Sequence, residues 1–322
     1  MFIVFITSAI AIASVFLYGC VGEIIMEKAG HLNLGVPGVM CMGTAGGCWG
    51  VSLYMNSLAD PSKAAWFLLL LSMIFFSFLF SAFGGAIYAL ITVTLRGNQN
   101  VTGLALTTFG TGFAQFFMDK YVNRTNFAAA SVLIKKSLPF ADSLGGFGKI
   151  FLSHGFLVYL AIAIAIGTAI ILRKTRIGLN LRAIGENPAT ADAVGINVVR
   201  YKFVAIIVGC CIAGLGGVFY IMDYIGGSWQ NANTIEAMGW LAVALVIFSL
   251  WKPDFAILGS IIFGGLYIAS NYIAGVSFAQ MKLLKLLPYF VTIIVLIVTS
   301  VINSKENQPP AALGLAYFRE ER

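Results

Sequence analysis

Charged side chains are scarce in this sequence. Only 10% of its 322 residues are Asp, Glu, Lys or Arg, whereas 59% are hydrophobic, and the mean hydropathy is +0.91. A soluble globular chain carries about a quarter charged residues, so a water-soluble core could not bury this much apolar surface. The composition therefore excludes a soluble globular protein and predicts a polytopic membrane protein.

The residue patterns of the common enzyme sites are also missing. The sequence has two histidines and no HExxH, GxSxG or CxxC pattern. Without a GxxxxGK[ST] phosphate loop, we expect no ATP binding or hydrolysis by this chain alone. The five cysteines lie in or beside apolar segments and are interpreted as packing residues. We expect no catalytic residue, no metal site and no cofactor. The net charge of +7 indicates contact with membrane lipid and not with nucleic acid.

Apolar runs long enough to cross a bilayer recur along the chain. A membrane span needs about 20 mainly apolar residues. The fold class is therefore all-α, a polytopic transmembrane bundle of about nine helices over residues 1–303. The seventh run is short, which predicts a broken or half-span helix. The nine runs lie near 2–21, 34–56, 65–93, 100–118, 151–172, 201–222, 237–250, 255–276 and 285–302.

Basic residues are concentrated in the polar segment 173–202. It carries six Lys or Arg against Glu186 and Asp192, so the positive-inside rule places it in the cytoplasm. Because successive spans cross the membrane in alternating directions, the tail 304–322 is also placed inside. The prolines and charges of this tail predict disorder. The segment 119–150 becomes an outward loop. It either folds back as short helices that receive a partner or simply connects two spans, and both interpretations remain open.

A short helix with both ends marked lies inside the basic segment. Asn187 fits the N-cap and Pro188 the first helical position, while Gly195 supplies the left-handed residue after the helix. A helix of about two turns is marginal alone. It is therefore interpreted as a docking element, with an ordinary interfacial loop helix as the alternative.

The predicted spans contain few ionisable residues, and Glu23, Asp223 and Glu236 fall near predicted helix ends. This weighs against a proton-coupled or ion-coupled carrier and favours a path lined by uncharged polar groups. Two of the candidates, four residues apart, share a helix face, although hydroxyls that bond their own helix are the commoner arrangement. The candidate path residues are Asn33, Asn98, Gln99, Asn100, Thr107 and Thr111.

Several motifs taken together resemble one family. GENPATADAVGIN, AGLGGVFY and GWLAVALVIFSLWKPDFAILGSIIFGG are similar to permease subunits of bacterial ABC importers, the group that includes ribose, nucleoside and branched-chain amino-acid permeases. GEIIMEKAGHLNLGVPGVMCMG and LRGNQNVTGLAL resemble its basic-membrane-protein/nucleoside branch more than its ribose branch. One departure is Pro37, which stands where the family usually has glutamate and leaves the substrate and the pairing of permease chains open.

The resemblance implies a multi-pass permease of the bacterial plasma (inner) membrane that works by alternating access. It implies three kinds of partner: ATP-binding cassette subunits, a second permease subunit and an extracytoplasmic solute-binding protein. The expected substrate is a nucleoside or a similar neutral polar solute. Simple sugars, riboflavin-like vitamins or a stand-alone channel are the alternatives. The resemblance also identifies the capped helix as the coupling helix, with Gly185, Glu186, Asn187, Pro188, Ala191, Asp192 and Gly195 as its coupling residues.

Overall fold

Helices make up every regular element of the described structure, which confirms the predicted all-α class. The computed structural model describes residues 2–137, 145–273, 275, 277–302 and 308–318. The helices that end at Ala89 and Phe219 each continue as a π-helical turn, to Thr94 and Tyr224 respectively. The helices are α1 (Phe2–Lys28), α2 (Val36–Ser57), α3 (Trp66–Ala89), α4 (Gln99–Lys120), α5 (Phe127–Ile134), α6 (Gly145–Phe151), α7 (Phe156–Lys174), α8 (Arg176–Glu186), α9 (Pro188–Ala193), α10 (Val198–Phe219), α11 (Asn233–Phe248), α12 (Pro253–Ile268), α13 (Phe278–Leu284) and α14 (Leu287–Ile302).

Helix length separates full spans from partial ones. Six helical stretches in the described residues are long and apolar enough to cross a membrane. Helix α11 has only 16 residues, about 24 Å at 1.5 Å per residue, which is shorter than a hydrocarbon core of roughly 30 Å. The prediction that the seventh helix is short is confirmed, and its crossing of only part of the membrane stays a prediction.

Helices α1, α2, α3 and α10 form the core through backbone-to-backbone contact. A Cβ placed on Gly22 of α1 would lie 2.4 Å from the carbonyl oxygen of Gly209 in α10. A Cβ on Gly43 of α2 would lie 2.4 Å from the Cα of Gly214. Glycine is the residue that permits such approach, and close approach provides the van der Waals packing that holds helices together in lipid.

Helix α1 extends seven residues beyond its predicted end and carries two buried carboxylates. Glu23 and Glu27 are 0% and 3% exposed. The Glu23 carboxylate accepts a hydrogen bond from the backbone N–H of Asn33 at 2.9 Å, and the Glu27 carboxylate accepts one from the indole N–H of Trp251. The prediction that Glu23 lies at a helix end is wrong, because its neighbours supply donors that an apolar run alone does not reveal.

The segment 119–150, predicted to be an outward loop, contains the short helix α5 and most of α6, which agrees with short helices in this segment; the side of the membrane that it faces stays a prediction. Phe127, Ala130 and Ile134 of α5 are buried against the bundle. Residues 138–144 of this loop lie outside the described residues. Its role as a partner surface stays a prediction.

The expectation of a disordered tail is wrong for residues 308–318. The Ala312 N–H donates to the Gly185 carbonyl at 2.9 Å, and the Gly314 N–H donates to the Gly30 carbonyl at 3.3 Å. The Arg96 guanidinium lies 4.9 Å from the centre of the Phe318 ring. Prolines and charges predicted disorder, but the small and apolar residues between them pack on the bundle. Residues 304–307 and 319–322 lie outside the described part of the tail.

Candidate functional site

The segments assigned to the cytoplasm by their charge meet at one end of the bundle, called here the inner end. Gly185 lies against α1, since a Cβ there would be 2.4 Å from the Lys28 carbonyl oxygen. Arg173 at the end of α7 pairs with Asp254 at the start of α12 at 2.7 Å. The shared end agrees with the predicted alternation of spans. Which side of the membrane it faces stays a prediction.

Helix α9 has the ends that its sequence predicts. The Asn187 side-chain oxygen accepts the Thr190 N–H at 3.0 Å, and Pro188 occupies the first turn. Gly195 follows the helix with φ of +87°, a left-handed conformation that glycine adopts without steric cost. Because each cap is made within a few residues, the helix is defined by its own sequence.

One face of α9 is anchored and the other is open. Ala191 is buried in a small apolar cluster with Ile184 and Val198. Thr190 is exposed on the other side, and Val194 at the C-cap is 72% exposed. The side of α9 that carries Thr190 is therefore accessible, whereas the side that carries Ala191 is not.

The remaining coupling candidates hold the tail. The Asp192 carboxylate accepts the Tyr317 hydroxyl at 2.9 Å. The Glu186 carboxylate accepts the Ala311 N–H at 3.4 Å, beside the buried Gly185. The tail therefore connects residues 185–195, called here the α9 region, to the rest of the inner end. Sequence reasoning missed this connection, because the interacting residues are 125 positions apart.

Three of the six candidate path residues are buried against residues 29–35, called here the α1–α2 segment. The Gln99 side-chain oxygen accepts the Leu32 N–H at 2.9 Å, and the Thr107 hydroxyl donates to the Leu34 carbonyl at 2.8 Å. Asn33 is fully buried within the segment. These side chains satisfy backbone groups that have no helical partner. Their predicted part in a solute path stays a prediction.

Two more candidates lie at the start of α4. Asn98 caps the helix, its side-chain oxygen accepting the Val101 N–H at 3.0 Å, and Asn100 is exposed in the first turn. Both are near the inner end. The structure thus brings Asn98, Gln99 and Asn100 together, about 18 Å along the helix from Thr111 at 1.5 Å per residue.

Thr111 lies where α4 meets α11. Its hydroxyl donates to the Thr107 carbonyl at 2.9 Å and lies 3.2 Å from the Glu236 carboxylate. Thr108 and Gly112 are exposed on the same helix, and Glu236 is half-exposed. We call the exposed side of α4 and α11 around these residues the α4/α11 face.

Sequence reasoning missed Glu236 as a site residue. It lies in the first turn of α11, where a carboxylate is favoured by the helix dipole. The signal that could have identified it is an acidic residue at the start of an apolar helix too short to span the membrane. The contact between Glu236 and Thr111, near the middle of α4, places this first turn partway along the bundle.

The described part of the chain shows no cluster of metal ligands. No group of three or more His, Cys, Asp or Glu side chains in these residues could hold a metal ion. The polar groups of the α4/α11 face are the Glu236 carboxylate and the hydroxyls of Thr108 and Thr111. Such groups can bind and orient a polar solute through hydrogen bonds.

Comparison with known proteins gives one family and several relatives. A family model described as "Branched-chain amino acid transport system / permease component" matches residues 5–298. The nucleoside ABC transporter permease protein NupC of Lactococcus lactis is 30% identical over 87% of this chain and 87% of its own length. The guanosine ABC transporter permease protein NupQ of Bacillus subtilis is 27% identical over 99% of this chain and 98% of its own. The glucose ABC transporter permease protein TsgB13 of Haloferax volcanii is 24% identical over 78% and 63%.

Proposed function

From the fact that this chain belongs to the branched-chain amino acid transport system / permease component family, we propose that it forms, with a second permease chain, the path by which a nucleoside or a similar neutral polar solute enters the cell. The chain is an ABC transporter permease and a multi-pass protein of the bacterial plasma membrane.

The α9 region is the proposed contact with an ATP-binding subunit. Its caps keep the helix formed, and Thr190 and Val194 present an open surface to a partner. Its anchored side touches α1 through Gly185 and Lys28. A movement of α9 driven by ATP would therefore reach the core helices through packed contacts, as alternating access requires.

The α4/α11 face is the proposed wall of the solute path. Exposed residues on a helix in a bundle face lipid or another chain, and polar groups are costly in lipid. Thr108, Thr111 and Glu236 therefore favour a second permease chain opposite this face, with the solute between the two. The hydroxyls of a ribose can donate to the Glu236 carboxylate. Asn98 and Asn100 would lie at the inner mouth of the path.

The observation that carries the proposal is the exposed capped helix on the inner end of a family permease. Hydrogen exchange of the full-length protein tests it with and without the purified ATP-binding subunit. We expect added protection in residues 182–197. Residues 127–134 in α5 serve as the control and should not change. Protection in the control segment alone would contradict the coupling assignment.

The path is tested by Glu236→Gln, which keeps the size of the side chain and removes its charge. We expect slower uptake of labelled nucleoside in proteoliposomes that contain the partner subunits, with unchanged thermal stability. Asp119→Asn, on an exposed residue at the far end of α4, is the matched control and should transport normally. Equal uptake by both variants would remove Glu236 from the path.

A sugar permease is the second candidate, favoured by the glucose permease among the relatives. The solute-binding protein of the same system distinguishes the two, because a bound ligand raises its melting temperature in proportion to the logarithm of its concentration over Kd. A shift with guanosine or uridine and none with glucose supports the nucleoside. Uptake without ATP or partner subunits would instead favour a stand-alone channel.

A further inference from the structure

A cavity of about 790 Å³ opens at the inner end of the bundle. Its walls are the last turn of α3, the first turns of α10 and the tail around Tyr317. Four of its lining residues are basic or can be protonated: His31, Arg96, Arg200 and Lys202. Asp192 also lines it and accepts the Tyr317 hydroxyl. The cavity is therefore predominantly basic.

Two nitrogen-bearing side chains that line this cavity are buried. Lys202 is only 3% exposed. Both ring nitrogens of His31 are also buried, without a hydrogen bond to any described residue. Burial and the nearby Lys202 hold the pKa of His31 well below its usual value, so the ring is neutral and can donate one N–H. Leaving such a donor unpaired is costly, which indicates that an acceptor completes the cavity.

An apolar groove of about 800 Å³ adjoins the basic cavity. It lies between α7 and α10, and its walls include Ile164, Gly167 and Ile212. The groove shares Arg200 and Val204 with the cavity, so the two meet at the first turns of α10. From Asn197 to Ile212 it follows α10 for about 22 Å at 1.5 Å per residue. This is comparable to half of a bilayer.

We propose that the cavity and the groove together bind one anionic phospholipid of the inner leaflet, with its phosphate at Lys202 and Arg200 and an acyl chain along α10. Charge complementarity places the phosphate among the basic side chains, and basic pockets between helices at this leaflet suit anionic headgroups. A soluble phosphate compound would fill the cavity but leave the groove empty. Because Gly195 and Tyr317 also line the cavity, the bound lipid would contact both the α9 region and the tail.

The test measures retained lipid by native mass spectrometry on the full-length protein from nanodiscs that contain phosphatidylglycerol and phosphatidylcholine. In the double variant Arg200→Gln/Lys202→Met, the preference for phosphatidylglycerol over phosphatidylcholine should fall roughly 30-fold. Each basic side chain near an anionic surface strengthens binding by about fivefold, and the variant removes two of them. The matched pair Lys174→Met/Arg176→Gln removes the same charge from exposed positions outside the cavity. It should keep the preference, and an equal loss in both pairs would overturn the site.

Further variants separate folding, headgroup and chain effects. In lipid-free detergent the double variant should melt no lower than wild type, because it removes the charge of a buried lysine. Lys202→Arg keeps the charge and should retain the preference. Gly167→Leu fills the groove, where an added Cβ meets nothing within 4 Å, and should reduce lipid retention several-fold. Retention unchanged in Gly167→Leu, or displacement of the lipid by soluble glycerol phosphate, would overturn the phospholipid as the occupant.

Discussion

The α1–α2 segment and the α9 region both interrupt long helices at the inner end, but they satisfy their backbone polar groups differently. The first is buried, and its groups bond to side chains of α1, α3 and α4, such as the Tyr88 hydroxyl on the Leu32 carbonyl at 2.7 Å. The second is largely exposed and makes its own caps through Asn187 and Gly195. The first segment is therefore held by the whole bundle, whereas the form of the second depends mainly on its own residues.

The largest effect is expected where α4 touches the α1–α2 segment. A Cβ on Gly103 would lie 2.8 Å from the Leu34 nitrogen and 2.9 Å from the Gly35 nitrogen, which are backbone atoms that cannot move aside. Gly103→Val should therefore destabilise the protein by about 3 kcal/mol or more. The measurement is thermal unfolding in detergent.

Gly112→Val is the control on the same helix, because a Cβ at Gly112 meets nothing within 4 Å. It carries the same cost of a β-branched side chain in a helix and should melt within a few degrees of wild type. If the two variants melted alike, the α1–α2 segment would not be fixed by α4. The proposed path predicts a loss of transport in Gly112→Val despite its normal stability.

A smaller effect is expected from the hydroxyl that bonds the same segment. Thr107→Val removes the donor to the Leu34 carbonyl and keeps the shape of the side chain. Leaving a buried acceptor unpaired costs about 1–3 kcal/mol, and Thr107 is 4% exposed. Thr108→Val is the matched control, because the Thr108 hydroxyl bonds its own helix at Leu104 and is exposed. Chemical unfolding should separate the two, and equal midpoints would show that the bond to Leu34 contributes nothing.

The two segments also show what the sequence can and cannot predict. Asn187, Pro188 and Gly195 act on neighbours within a few positions, so the α9 region could be derived from local rules of capping. Gln99 and Thr107 bond residues 67 and 73 positions away, and no local rule selects such partners. Helix α1 was predicted too short for a similar reason, because the indole that bonds Glu27 belongs to Trp251, 224 positions away.

In the α9 region the expected change is in coupling, with little loss of global stability. Gly195→Val forces a β-branched residue into a left-handed conformation, which costs about 1–3 kcal/mol, while its Cβ would meet nothing within 4 Å. We expect normal melting but weaker stimulation of the ATPase by substrate in the assembled transporter. Gly195→Asn should behave closer to wild type, since asparagine tolerates this conformation. Full stimulation of the ATPase by substrate in Gly195→Val would show that the left-handed conformation at this position is not needed for coupling.

The smallest effect is expected from the tail, which joins the two segments. It contacts the α1–α2 segment through the Gly314 N–H on Gly30 and the α9 region through the Tyr317 hydroxyl on Asp192. Tyr317→Phe removes one hydrogen bond to a charged acceptor. Loss of such a bond costs about 1.5–3 kcal/mol, and we expect a smaller loss of stability here because Asp192 is partly exposed to solvent. Global melting should hardly change, whereas amide exchange in residues 188–195 should become several-fold faster.

Exchange in the α1–α2 segment provides the internal comparison for this variant. If the tail holds only the α9 region in place, residues 29–35 should keep their protection in Tyr317→Phe. Faster exchange in both segments would mean that the tail transmits movement between them, so that they form one mechanical unit. Unchanged exchange in residues 188–195 would mean that the caps at Asn187 and Gly195 alone determine how readily α9 opens.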